Sequence, residues 1–505
     1  MMTGRKLRSN DTAPNAPQAP RPWLPFSVVV GAAILNLLDT SVTNIAAPSI
    51  EADLGGGNSF MQWLGSAYTL SLAAGLLVGG RLGDMFGRRA VYCAGMAGFV
   101  TASLICGLAM SPAMLVAARV LQGLSAAIVL PQSLGVIRTV FPVEKLSKAF
   151  AIYGPLTSLA TLIGPVLAGV LVSADLFGWG WRSVFFVNVP IGIVLLAAGW
   201  LLLPTGRQSS VSSLDGLGAL IAASAAVLLV YPLVEGRESG WPLWTWLSIG
   251  CALALFVVFA RVQQRRDLRG HATLVAASLF RSRVFTGGLV LAAAVFSSMI
   301  GTGLVTAVFL QRSLGLSAIS AALIVLPQAV GNLSGFFVAN SKMLDRMGRG
   351  TLRLGIAIMI LGILCLFATL HLTTITPENV WLLSPCLAVY GAGMGIFLSR
   401  FFTTVLTNVK PHEYGSASGT LNSVQQFSGS LGVAVLGTIY FATLGHSAPV
   451  AALTVTLLAT LAFLTAAACA VSLLPKSRAA EHFLAPTARV IPTNAMTPIN
   501  RRRTP

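Results

Sequence analysis

Residues 83–89 read GDMFGRR and residues 344–350 read LDRMGRG. Each holds the pattern D-x-x-G-R: Asp84, Gly87 and Arg88 in the first copy, Asp345, Gly348 and Arg349 in the second. Both are short polar links between two long apolar runs. One match of this kind carries little weight. Two matches at the same place in two blocks of six runs mark an internal repeat. If runs one to six and nine to fourteen are the copies, run two corresponds to run ten. Runs seven and eight are then an extra hairpin between the halves. Repeated six-span halves point to a transporter whose site lies at the repeat interface.

Composition leads to the same class. Of 505 residues, 55% are hydrophobic and only 10% charged, whereas a soluble protein carries about 25% charged residues. Mean hydropathy is +0.80. A disordered chain, a disulfide scaffold and an ordinary soluble enzyme are excluded. A spanning helix needs about 20 mostly apolar residues. Fourteen such runs are present: 24–48, 61–81, 90–110, 112–137, 148–173, 182–203, 214–234, 243–262, 285–310, 318–340, 352–371, 379–408, 416–444 and 450–474. The expected fold is an all-α membrane protein of fourteen transmembrane helices, two six-helix bundles plus a two-helix hairpin. Its divisions are a tail at 1–23, a bundle at 24–204, a linker with helices seven and eight at 205–270, a bundle at 271–475 and a tail at 476–505.

An even number of spans puts both ends on one face. Of 33 Lys and Arg, 28 then fall on that face, three on the other (Arg182, Arg237, Arg312) and two inside spans (Arg119, Arg400). Basic loops stay cytoplasmic, so both termini are expected inside. The net charge of +18 therefore reflects topology. No nucleic acid is expected, because long hydrophobic segments separate the basic residues. The first apolar run, continuing to Pro48, is too long for a signal-peptide core and is read as retained. The six cysteines fall in apolar runs and the five histidines at or beyond run ends, with no metal-ligand spacing; neither metal nor cofactor is expected.

An ionisable residue inside a span is costly and so is a functional candidate. Asp39 is the one acid well inside a span; Arg119 and Arg400 are the embedded bases. At 1.5 Å per residue, Asp39 lies about 14 Å from the end of span one and Arg119 about 10 Å from the same face in span four. The two can meet. A changing Asp39–Arg119 distance would change proton affinity, which is what proton coupling needs; a fixed buried ion pair is the plain alternative. Gly164, Pro165 and Gly169 in span five permit close helix approach, as gate or as ordinary packing. Of the polar residues inside spans, among them Gln122, Gln132, Asn188, Gln328, Asn332, Asn422, Gln425 and Gln426, most are expected to hydrogen-bond between helices and a minority to line a cavity, and spacing does not sort them; Asn44, Gln122, Asn422 and Gln425 are the candidates for the cavity. No P-loop, HExxH or nucleophile elbow exists, so an enzyme is not expected and energy must come from an ion gradient.

The motifs together resemble the fourteen-span drug:proton antiporters of the major facilitator superfamily, over residues 24–475. The first-span signature is LDTSVTNIAAP at 38–48, with Asp39, Asn44 and Pro48. GRLGDMFGRR at 80–89 resembles the loop 2–3 motif, with Gly80, Asp84, Gly87, Arg88 and Arg89. RVLQGLSAA at 119–127 resembles the span-four motif and GPVLAG at 164–169 the span-five antiporter motif. WRSVFFVNVPIG at 181–192 and SASGTLNSVQQFSGSLG at 416–432 resemble further signatures. The resemblance implies the major facilitator fold, a protonation site at Asp39, proton coupling through Arg119, a cytoplasmic latch at Gly80, Asp84, Gly87, Arg88 and Arg89, and a repeat of that latch at Asp345, Gly348 and Arg349. It implies export of a small lipophilic substrate against entering protons across the cell (inner) membrane. A periplasmic adaptor would be a further partner in a Gram-negative cell. Ala168 stands where the family often has a second glycine. A dedicated exporter of one metabolite, antibiotic or siderophore has the same skeleton. A non-transporting sensor or scaffold is disfavoured by the short tails.

Overall fold

The computed structural model describes residues 21–205, 215–269, 271, 273–339, 341, 344, 347–406, 409 and 413–474. The expected tail at 476–505, most of that at 1–23, and Asp345 lie outside these residues. The described residues contain fourteen helices of at least fifteen residues. In the first half they are α1 (Trp23–Leu54), α2 (Gly57–Phe86), α3 (Arg88–Gly107), α4 (Pro112–Val140), α5 (Val143–Ser173) and α6 (Asn188–Leu202). A hairpin follows, α7 (Gly216–Glu235) and α8 (Leu243–Leu268). The second half holds α9 (Arg283–Val308), α10 (Ala318–Ala339), α11 (Arg349–Leu372), α12 (Leu383–Leu406), α13 (Tyr414–Leu444) and α14 (Pro449–Ala470).

In lipid every backbone polar group must be satisfied within its own segment, and helices do this. Several starts are set by side chains. Ser111 accepts from the Met114 amide ahead of Pro112, and Ser282 and Asp215 cap α9 and α7 in the same way. Twelve helices are long and apolar enough to cross a membrane, and α2, bent by 48° after Leu76, makes a thirteenth. α5 carries Glu144, Lys145 and Lys148 in its first turns and no charged residue from 149 to 173. α1 runs on to Leu54 with Pro48 inside it, six residues beyond the expected end. Proline is tolerated in membrane helices because neighbours re-satisfy the freed backbone.

The repeat is visible in the packing. α2 lies on α4, and α10 on α12. A Cβ on Gly79 would fall 2.1 Å from the Ala127 carbonyl oxygen, and one on Gly335 2.1 Å from that of Ala392. The glycines of GAGMG at 391–395 serve the same end: Gly391 and Gly395 lie against the Gln328 and Asn332 carbonyls, Gly393 against Gly355 and Met359. The α2–α3 and α10–α11 links match as well. Gly87 (φ 92°) and Gly348 (φ 52°) each take a positive φ immediately before a helix. A side chain there costs about 1–2 kcal/mol. Gly87→Ala and Gly348→Ala are each expected to lower the thermal unfolding midpoint of the detergent-purified protein. An unchanged midpoint in both would refute the constrained turn.

Two seams join the halves, α2 with α13 and α5 with α10; the repeat exchanges one for the other. Among the described residues, the side-chain contacts across them lie toward the face that carries the α1–α2 turn, called here the Gly55 face. Ser66 and Ser430, both fully buried, each donate to the other's carbonyl at 3.4 Å. Gly437 packs on Gln62 and Gly169 on Ile319. Gln311 donates to the Ile45 carbonyl, and Arg312 to Asn58. The halves are thus sealed at the Gly55 face. At the opposite face, called the Asp84 face, Arg81 reaches the Thr273 carbonyl ahead of α9. The hairpin α7–α8 lies along the α2–α13 seam, with Val230 and Val234 packed among Leu70, Ala434 and Trp63.

Candidate functional site

Asp39 is 2% exposed and sits in a closed polar cluster built by α1, α3, α4 and α6, with α2 as one wall. Its Oδ2 accepts from Arg119 Nη1 at 2.6 Å. Its Oδ1 accepts from Gln122 Nε2 at 2.9 Å and from Asn188 Nδ2 at 2.7 Å. Arg119, 1% exposed, also donates from Nη1 to Gln122 Oε1 at 2.7 Å and from Nε to the Leu64 carbonyl at 3.1 Å. Its guanidinium lies 4.2 Å from the centroid of the Tyr68 ring, whose hydroxyl bonds Asn36. Gln122 donates further to Ser103 Oγ at 2.8 Å.

The sequence expectation that Asp39 and Arg119 meet is fulfilled. Gln122 differs from expectation: it is fully buried and holds Asp39, so it lines no cavity. Sequence reasoning gave no role at this site to Asn188, Ser103 or Tyr68. Asn188 stands in the WRSVFFVNVPIG stretch and carried a signal; Tyr68 carried none.

The arrangement is chemically pointed. The Asp39 carboxyl group faces three donors, one of them the Arg119 guanidinium, in a place where a lone charge would be prohibitive. Removing one member of a buried pair strands the other charge, at about 3–5 kcal/mol. Both members belong to the first half. Rigid rocking of the halves therefore leaves their distance unchanged. Separating them requires α1 or α4 to move within the half, or water to reach Asp39.

The other candidate residues fall into place around this cluster. Asp84 and Arg88 form an ion pair at 3.0 Å at the Asp84 face. Arg88 lies in the space that a side chain at Gly135 of α4 would take, and Gly80 faces Pro131. Arg89 stacks over Trp200 at 4.8 Å. Among the described residues, the Asp84–Arg88 pair makes no hydrogen bond to the second half. Arg349 donates to the Leu474 carbonyl at 2.5 Å, and Gly348 makes the turn before it. Gly164 faces Ser41 of α1, whereas Gly169 faces Ala318, Ile319 and Ala322 of α10, across the seam; Pro165, between them, is half-buried. Asn44 is half-buried against Gly65. Asn422 donates to the Ser418 carbonyl. Gln425 Oε1 is buried with no hydrogen-bond partner among the described residues. Arg400 donates to the Ala339 carbonyl at the end of α10.

The profile of the Major Facilitator Superfamily matches residues 29–433. A protein of Streptomyces coelicolor named as a probable actinorhodin transporter is 41% identical over 86% of this chain and 75% of its own. The puromycin resistance protein of Streptomyces alboniger is 34% identical over 83% of this chain and 82% of its own. The solved structure of an auto-inhibited POT family peptide transporter superposes with a TM-score of 0.67 at 14% identity, over 90% of this chain and 97% of that one.

Proposed function

Because the chain belongs to the Major Facilitator Superfamily, as a multi-pass membrane transporter and not an enzyme, we propose that it is a proton-coupled antiporter. It exports lipophilic drugs or toxic compounds through fourteen spans with both termini cytoplasmic. The observation that carries the reading is Asp39, enclosed at 2% exposure and paired with Arg119 at 2.6 Å. Protonating that carboxylate removes the partner of a buried cation. Each proton that binds therefore changes the balance of the whole cluster, including Gln122, Asn188 and the Leu64 carbonyl. A cargo that favours the ionised cluster expels the proton, and the next proton expels the cargo. Reciprocity of this kind is what linkage demands of two ligands on one protein.

In this reading the Asp84 face is cytoplasmic, and the structure sealed at the Gly55 face is the loading state. The Asp84–Arg88 pair then waits at the edge of the first half, to dock on the second half when the cytoplasmic side closes. The names of the relatives support export of antibiotics. They also favour a second reading, a dedicated exporter, since actinorhodin and puromycin are single compounds.

The test uses purified protein in liposomes with an acidic lumen and the Asp84 face outward. Ethidium uptake is expected to require the pH step, to be accompanied by lumenal alkalinisation, and to stop with a protonophore. Uptake with no proton flux would refute antiport. Proton-coupled uptake of one antibiotic from a panel, with ethidium and the other compounds excluded, would establish the dedicated exporter.

A further inference from the structure

At the Gly55 face the end of α7 and the turn after it border α2 and α4 around an open cleft of about 440 Å³. Phe60, Trp63, Pro112 and Val116 make its apolar side; Glu235 and Glu238 make the other. The two carboxylates are not equivalent. Glu238 Oε1 accepts from the Ser59 amide and is paired with Arg237 at 3.0 Å. Glu235 Oε1 accepts from the Trp63 indole N–H at 2.6 Å. No cation among the described residues lies within ion-pairing distance of Glu235. Arg237, two residues along, is committed to Glu238 and lies 5.6 Å from the Phe441 ring centroid.

Glu235 is half-buried, next to aromatic and aliphatic walls. With Arg237 offsetting Glu238, the cavity keeps one net negative charge, held by a single neutral donor. A partly desolvated, uncompensated carboxylate attracts a cation. The walls decide which kind. A small hydrated ion gains nothing from Phe60 and Val116, whereas an organic cation buries its body there and sets its charge beside Glu235 and the Trp63 face. The volume lies within the range of drug-sized sites.

We propose that this cavity binds a lipophilic organic monocation, with Glu235 as its counter-ion and Trp63 as its wall. It is separate from the Asp39 cluster and is built by the inserted hairpin. Only its position on the exit side rests on the export reading. There it would be the last station of a cationic cargo before release. The head group of an aminophospholipid presents the same chemistry, and the test separates the two sources.

Ala113 lines the cavity and is exposed. Ala113→Cys protein in phosphatidylglycerol nanodiscs is labelled with a maleimide, and labelling of the parent protein is subtracted. Tetraphenylphosphonium is expected to slow the labelling. Glu235→Gln is expected to raise the half-protecting concentration roughly tenfold, and the double variant Arg237→Gln/Glu238→Gln no more than about threefold, because it removes an ion pair together and leaves the net charge beside Glu235 unchanged. Equal protection in Glu235→Gln, or an equal loss in Arg237→Gln/Glu238→Gln, would overturn the proposal. Adding phosphatidylethanolamine identifies the natural occupant. Slower labelling that Glu235→Gln reverses assigns the site to the lipid amine, and unchanged labelling assigns it to free cations. No pH gradient enters the measurement, so a protein that exchanged no protons would still give it.

Discussion

Asp39→Asn is expected to abolish proton-driven export while the protein still reaches the membrane. Asparagine fills the same volume but brings one oxygen where the carboxylate has two. With that oxygen toward Gln122 and Asn188, an amide donor faces Arg119 at the position now 2.6 Å away. With the amide reversed, the other two donors lose their acceptor. In either orientation Arg119 is a buried cation without a counter-charge, a defect of about 3–5 kcal/mol. A loss of roughly 3 kcal/mol from the coupled step is about a hundredfold in rate. Ethidium efflux from cells, normalised to membrane-inserted protein, reads the result. The double variant Asp39→Asn/Arg119→Gln removes both charges. It is expected to regain thermal stability without regaining export, which separates a proton-coupling role from a structural one. Protonophore-sensitive efflux in the single variant would move the proton site elsewhere.

That pair was legible before the fold was known because two constraints sufficed. Helical rise fixes depth, and the cost of charge in lipid forces partners to find each other. The partners of the pair were less legible. Gln122 and Gln132 look alike in sequence, each a lone amide in an apolar helix. One holds Asp39 at 2.9 Å, and the other donates to the Gly79 carbonyl at 2.8 Å. A helix apolar all round gives no sign of which polar residue faces a bundle centre and which a seam. The turn glycines were different. Gly87 and Gly348 shared a pattern because both turns need a positive φ. The hairpin was readable as two extra spans, but its seat on α2 and α13 was not. Glu235 and Glu238 drew no notice, because topology is read from Lys and Arg and acids contribute little to it.

Gly169→Leu is expected to open the Gly55 face. A Cβ at this position falls 2.8 Å from Ile319 Cα and 3.1 Å from the Ala318 carbonyl oxygen. Both obstacles are backbone, so no rotamer change relieves them, and leucine adds three further carbons. Overpacking of this kind costs about 1–3 kcal/mol. The cost applies only where α5 and α10 touch as they do here. A conformation that parts them at this end escapes it. Each 1.4 kcal/mol placed on one of two states shifts their ratio about tenfold. Gly164 supplies the control. Its neighbour is Ser41 Cβ at 2.5 Å, inside the same half, so Gly164→Leu burdens both conformations alike and is expected to lower stability without favouring either. Ser66→Cys, fully buried against Ser430 at the other seam, reports the opening. Its reaction with a membrane-impermeant maleimide is expected to speed up by roughly tenfold or more with Gly169→Leu, and to stay slow with Gly164→Leu. The α5–α10 and α2–α13 seams are equivalent under the repeat and close the same face. A rise at Ser66 caused by a clash at Gly169 therefore means that the two seams part together, as alternating access by two rocking halves requires. Slow labelling in Gly169→Leu protein of normal stability would show that the α5 glycine is packing alone.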